Sequence, residues 1–210
     1  MQHIQPRRGK FMGFEKVAHL CYYNPTTRDL LSQKVIAFKN GDVSANMLWC
    51  AWALGEIANA GWGNFDFVIR SLSSGELEVL PTIVKPLDKL GNALASGLSA
   101  KYFPQILQKS ATTRPMHSIP TAPERWKELS GKYTLSDSCP DLNGAKILII
   151  DDVTTAGTTL DTISYTIKSK YKANLYGFCL AQTNREISND SINHPFNPPP
   201  NKTPLSEMFS

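Results

Sequence analysis

One stretch restricts this chain more than any other: Lys146-Ile-Leu-Ile-Ile150, then Asp151-Asp152, then Val153-Thr-Thr-Ala-Gly-Thr-Thr159. Aliphatic residues without polar alternation suit a strand covered on both faces, the environment of a central strand in a parallel sheet. The spacing that follows predicts a helix from Thr158 to about Lys170 and another strand from Leu175 to Ala181. Together these make a βαβ unit, so the expected class is α/β.

The same stretch carries the chemistry. At the carboxyl end of a central strand, Asp151 and Asp152 reach the crevice where open α/β sheets bind ligands. Successive strand residues point to opposite sides, so both acids face one wall only if the strand bends. Thr154, Thr155, Ala156, Gly157, Thr158 and Thr159 then offer backbone N–H groups and hydroxyls at a helix N-terminus. Unpaired amides and the helix dipole favour a phosphate dianion there, and Gly157 lets the backbone approach it closely. The pattern suits a ligand with a phosphate and, a few ångströms away, two neighbouring hydroxyls; a ribose 5-phosphate has that shape. The plainer alternative is a strand that ends in two acids and a threonine-capped helix.

The rest of the chain is read around this unit. Residues 1–64 read as helical: a loop over Tyr22–Arg28, a short helix near Asp29–Phe38, and an apolar helix capped at Asp42 and running to about Asn59. Phe65–Ile69 reads as a strand. Pro86 opens a helix whose Leu87, Leu90, Leu94 and Leu98 share a face and which is expected to end at Pro104. Residues 108–145 carry Pro115, Pro120, Pro123 and Pro140 and little regular pattern apart from a short helix near Glu124–Leu129, as expected of a functional loop or lid. The expected organisation is a single domain over 1–183, with a helical N-terminal part (1–64), an α/β core (65–183) and an Asn/Pro-rich tail (184–210).

Composition removes several classes. The 22 Lys+Arg against 18 Asp+Glu leave a net charge of +4, too small an excess to argue for nucleic acid. The most apolar stretch, Met47–Leu54, is too short for a bilayer span, so no membrane association is expected. No apolar run follows Arg7-Arg8, so no signal peptide is expected. Cys21, Cys50, Cys139 and Cys179 are far apart without a C-x-x-C pair, which fits reduced thiols and a cytoplasmic location. His3, His19, His117 and His194 show no ligand spacing. Trp49 and Trp52 suit a helix's core face. Neither a Walker A loop nor a G-x-G-x-x-G occurs, against an NTPase or a nicotinamide enzyme.

Asp151-Asp-Val-Thr-Thr-Ala-Gly-Thr-Thr159 resembles the phosphoribosyl pyrophosphate (PRPP) motif of the type I phosphoribosyltransferases, especially the orotate type and the ComF-like group. The resemblance implies that Asp151 and Asp152 hold the ribose 2′ and 3′ hydroxyls and that Thr154–Thr159 bind the 5′-phosphate. Purine-salvage members carry a further aspartate where this chain has Thr155, so no general base is implied. Arg125-Trp-Lys-Glu-Leu-Ser-Gly-Lys-Tyr133 resembles the ComF-like R-x-x-N-x-x-G-A-F segment, with Glu128 for the asparagine and Tyr133 for the phenylalanine. Lys89-Leu-Gly-Asn92 echoes its R-G-F-N, and Tyr22, Arg28, Leu31 and Lys39 its N-terminal region; the zinc-ribbon cysteines often found ahead of that domain are missing.

The resemblance also implies a pyrophosphate loop after the first core strand. Arg70, Ser71, Leu72, Ser73 and Ser74 stand there, and backbone amides, hydroxyls and a guanidinium suit diphosphate oxygens. Among Lys109, Arg114, Arg125 and Lys127, Arg125 is the best candidate to meet departing pyrophosphate. The implied fold is a mostly parallel sheet flanked by helices, with an N-terminal helical extension. The implied reaction is Mg²⁺-assisted transfer of the 5-phosphoribosyl group from PRPP to a nitrogenous base, with the metal held mainly by substrate oxygens. The alternatives are a non-catalytic PRPP or nucleotide sensor and a ComF-like DNA-uptake role. The sequence is compatible with a homodimer.

Overall fold

The computed structural model describes residues 5–6, 13–26 and 29–183. Arg28 and the Asn/Pro-rich segment 184–210 lie outside the described residues. The elements run β1 (Gln5–Pro6), β2 (Phe14–Tyr23), α1 (Leu30–Lys39), α2 (Val43–Asn59), β3 (Phe67–Arg70) and α3 (Pro86–Gly97). Then follow β4 (Lys101–Tyr102), β5 (Leu107–Lys109), α4 (Ala122–Leu129), β6 (Tyr133–Leu135), β7 (Lys146–Thr154), α5 (Thr158–Lys168) and β8 (Asn174–Thr183). The main sheet has the order β1-β2-β8-β7-β3-β4, parallel throughout except for β1, which runs antiparallel to β2. The α/β class with a mostly parallel sheet between helices is therefore present.

β7 is the central strand, as its composition demands. Ile147, Leu148, Ile149 and Ile150 are all fully buried, and their alternation feeds two cores. Leu148 and Ile150 join Leu20, Trp49, Leu90 and Phe178 on the face covered by α1, α2 and α3. Ile147 and Ile149 join Ile69, Leu160, Ile163 and Leu175 on the face covered by α5.

The helices begin where side chains supply the missing acceptors. The Asp29 carboxylate accepts from the Ser32 amide at 2.9 Å and Asp42 from the Ala45 amide at 2.7 Å. Thr121 and Glu124 form a capping box that starts α4.

The expectation of a purely helical N-terminal extension is corrected: residues 14–23 are a strand of the main sheet. β2 pairs in parallel with β8 from Phe14↔Leu175 to Tyr23↔Thr183. Its centre, Ala18, His19, Leu20 and Cys21, is buried on both faces, so the polar–apolar alternation of a half-exposed strand is absent. Its partner lies far along the chain, a pairing that no local pattern encodes.

The segment read as a patternless lid is organised by a second, two-stranded sheet. β5 and β6 pair antiparallel, Leu107↔Leu135 to Lys109↔Tyr133, with α4 between them in sequence. Pro104 opens a 3₁₀ turn after β4 rather than closing α3 directly.

Gly91, within the Lys89–Asn92 echo, has a packing reason to lack a side chain. A Cβ at Gly91 would run into the ring of Tyr102, whose hydroxyl donates to Asp88 at 2.7 Å. Gly91→Ala is expected to cost about 1–3 kcal/mol by overpacking this contact, read as a lowered urea midpoint. An unchanged midpoint would show that Tyr102 is free to move.

Candidate functional site

β7 carries its two acids to the carboxyl edge of the sheet, beside the end of β3, where Arg70 is in register with Ile150. β7 continues as a strand to Thr154, and the acids reach partners on different elements. Asp151 Oδ1 accepts from the Ser71 hydroxyl at 2.7 Å, and Asp152 Oδ2 lies 3.2 Å from Lys39 Nζ at the end of α1. Asp151 Oδ1 also accepts from the Asp152 amide at 3.0 Å, and Asp152 Oδ1 from the Val153 amide at 2.5 Å. Neither carboxylate is closed off: Asp152's side chain is 26% exposed, and no protein donor reaches Asp151 Oδ2 among the described residues.

Burial and the neighbouring Asp152 charge push the Asp151 carboxyl far above the ordinary carboxylate range, to about 7. The Ser71 hydroxyl, the Asp152 amide and Lys39 pull the other way and do not offset this. Two acids so close titrate as a pair, one holding a proton at mildly acidic pH. Raised acids in a crevice mark functional candidates, because burial and like charge are costly unless a ligand relieves them.

After Thr154 the chain turns into α5. Gly157 takes the N-cap position with φ +85°, a left-handed conformation that glycine adopts without a Cβ penalty. The first intrahelical bond is from the Asp161 amide to the Gly157 carbonyl, at 2.9 Å. The amides of Ala156, Gly157, Thr158 and Thr159 meet no acceptor among the described residues. Four adjacent donors at the positive end of a helix form an anion cradle.

Arg125 of α4 reaches this loop. Its Nη1 donates to the Thr155 hydroxyl at 2.6 Å, while Nε donates to the Ile119 carbonyl at 2.8 Å. The structure thus brings together Asp151, Asp152, the Thr154–Thr159 turn, Arg125 and Ser71.

It does not bring Arg70 to an anion site, and that expectation is corrected. The Arg70 side chain is 1% exposed and its fork is filled by carboxylates. Nε donates to Asp88 at 2.5 Å, Nη1 to Glu76 at 3.0 Å and Nη2 to Glu76 at 2.9 Å. Burial disfavours the guanidinium charge, but Glu76 and Asp88 more than restore it, so its pKa rises. Burial likewise works against the Glu76 carboxylate, yet Arg70, Lys85 and the Ser73 amide bring it down to about 2. Once the strand carries Arg70 inward with two acids within reach, a buried bidentate network outcompetes an exposed anion site.

The remainder of the predicted pyrophosphate loop is also engaged by the protein. Leu72 is buried, and its amide and carbonyl meet the Tyr133 hydroxyl at 3.3 and 3.2 Å. The Ser73 amide donates to Glu76 at 2.7 Å, and its hydroxyl receives Lys85 Nζ at 2.9 Å. The Ser74 carbonyl accepts from Thr113 and Lys109. Of this loop, Ser71 alone touches the acid pair.

The other candidate cations divide. Lys109 is buried, donates to the Ser73 carbonyl at 2.6 Å, and has its ammonium pushed down to about 8, chiefly by burial. Arg114 pairs with Glu128, which also holds Lys132 at 2.8 Å, so Glu128 ties α4 to the segments on either side of it. Lys127 is exposed.

Two functional neighbours escaped sequence reasoning in this role. Lys39 enters the sequence reading only through the echo of the ComF-like N-terminal region, and Ser71 as one hydroxyl of a loop; their aim at the acids comes from the packing of α1 and β3 on β7. Among the described residues no group of three or more His, Cys, Asp and Glu side chains is poised to hold a metal, and no helix is long and apolar enough to cross a membrane. The four cysteines form no disulfide. In comparisons with known proteins, no family model matches the chain and no curated protein is significantly similar to it.

Proposed function

We propose that the protein binds a 5-phosphoribosyl donor, PRPP, at the carboxyl edge of β7 and transfers its phosphoribosyl group to a nitrogenous base. The observation that carries this reading is the juxtaposition of a half-open acid pair with four acceptor-less amides at the start of α5. Asp151 and Asp152 would accept from the ribose hydroxyls, the Ala156–Thr159 amides would hold the 5′-phosphate, and Arg125 would fix the loop through Thr155. In the transfer, the ribose C1–O bond breaks with its electron pair leaving on pyrophosphate. The base nitrogen forms the C1–N bond and loses its proton to solvent, since Thr155 supplies no base.

The donor set would suit Mg²⁺ held mainly by substrate oxygens: Asp151 Oδ2 and, if Lys39 gives way, Asp152 Oδ2 would offer at most two protein ligands, and Mg²⁺ keeps few. A metal held there would supply positive charge against the departing pyrophosphate.

The test is calorimetry of PRPP with Mg²⁺ on the full chain. The doubly substituted Asp151→Asn/Asp152→Asn protein should bind at least about tenfold more weakly, a loss of about 1.4 kcal/mol, with its fold retained by circular dichroism. Unchanged affinity would overturn the site.

A second reading, a PRPP or nucleotide sensor without turnover, is favoured by the occupied pyrophosphate loop, where Arg70 and the Ser73 amide already meet carboxylates. Pyrophosphate release across a panel of bases separates the two: release with any base supports transfer, and tight Mg²⁺-dependent binding with no release supports sensing. DNA binding that falls steeply with salt would instead support the uptake role.

A further inference from the structure

A cavity of about 170 Å³ lies between α4, β6 and α5, away from the acid pair. It is lined by Trp126 of α4, Tyr133, Thr134 and Leu135 of β6, and Tyr165 and Thr166 of α5, with Lys170 just past the end of α5. Its α5 residues start at Thr162, and Thr166 stands eight residues beyond Thr158, about 12 Å along the helix at 1.5 Å per residue. A molecule seated here is therefore not the one that meets Asp151 and Asp152.

Size and lining restrict the occupant. An apolar cavity of roughly 150 Å³ accepts a benzene ring, so this volume has room for one ring. Trp126 and Tyr165 present aromatic surface, and Tyr165 is 65% exposed, a large apolar ring left half uncovered. The polar groups around them have capacity to spare. Trp126 Nε1, the Ser130 and Thr134 hydroxyls and the Tyr165 hydroxyl have no partner among the described residues.

The charge at the rim is positive. Lys170, just past the end of α5, lines the cavity. The acid of α4 nearest in sequence, Glu128, is engaged by Arg114 and Lys132, and Glu124 by Thr121.

We propose that this cavity is a binding site for a small aromatic carboxylate, its ring between Trp126 and Tyr165 and its anionic group at Lys170. The site is independent of the phosphoribosyl reading and stands or falls separately from it.

The test uses benzoate as the anionic probe and benzyl alcohol as its neutral counterpart on the full-length ¹⁵N-labelled protein. The Trp126 indole resonance is identified by its loss in Trp126→Phe. Benzoate is expected to shift that resonance saturably, with half-saturation at about 1–5 mM. Thr134→Trp, which fills the cavity, should abolish the shift, and Tyr165→Ala, at an exposed position, should weaken it at least about threefold even if Thr134→Trp does not fold. Lys170→Gln should weaken benzoate by a similar factor and leave benzyl alcohol unaffected. A shift that never saturates, or that survives both Thr134→Trp and Tyr165→Ala, overturns the site. Equal benzoate affinity in Lys170→Gln overturns the anionic class.

Discussion

Arg70→Met is expected to destabilise the protein by about 3–5 kcal/mol, because it leaves Asp88 as a buried carboxylate without a cation and Glu76 with Lys85 alone. Urea unfolding measures the loss. Arg70→Lys should recover little, since an ammonium cannot reproduce the fork that meets Glu76 through two nitrogens and Asp88 through a third contact. Adding Glu76→Gln and Asp88→Asn to Arg70→Met should restore a large part of the loss, because the penalty lies in the unpaired charges. A cost below about 1 kcal/mol for Arg70→Met would show that the cluster is hydrated and that Arg70 is available to a ligand after all. The network also has a pH signature. Glu76 is held at about 2 in the folded protein, below its ordinary 4.5, so its contribution is complete above pH 4.5 and is lost as pH falls toward 2.

Asp151→Asn is expected to do the opposite and stabilise the fold. The Asp151 carboxyl holds its proton up to about pH 7 when folded but only to about 3.8 when unfolded. Between those values the native state binds more protons, so wild-type stability declines as pH rises through the interval. The asparagine removes that penalty while keeping an oxygen for Ser71. Its advantage should be absent near pH 4, grow to about 2–4 kcal/mol at pH 7, and stay level above. Thermal melts of both proteins from pH 4 to pH 8 provide the comparison, and parallel curves would mean that Asp151 titrates normally. With Glu76 acting in the reverse sense, the wild-type protein is expected to be most stable near pH 5. A substitution that raised stability while weakening PRPP binding would be the behaviour of a site that keeps charges together for a purpose.

The elements legible in the sequence were those whose information is local. The aliphatic run of β7 placed the central strand, Asp42 and Pro86 marked the starts of α2 and α3, and the acid pair with its threonine-rich turn located the candidate site. What escaped was set by distant partners. β2 carries no alternation because β8 and two cores cover it, so its buried His19 and Cys21 gave no strand pattern. Arg70 illustrates the same limit at the site: an arginine followed by serines suits an anion loop, and only the packing of α3 shows that Asp88 reaches it first. Lys39 is the converse, singled out in sequence only by the ComF-like echo and set against Asp152 by folding.

The rims of the main sheet carry a consequence for self-association. One ends in Gln5–Pro6 and the other in Lys101–Tyr102, each too brief to template another chain. Pro6 has no amide hydrogen to offer, and Lys101 adds a charge at the opposite border. Among the described residues, strand addition onto Gln5–Pro6 or onto Lys101–Tyr102 is thereby disfavoured.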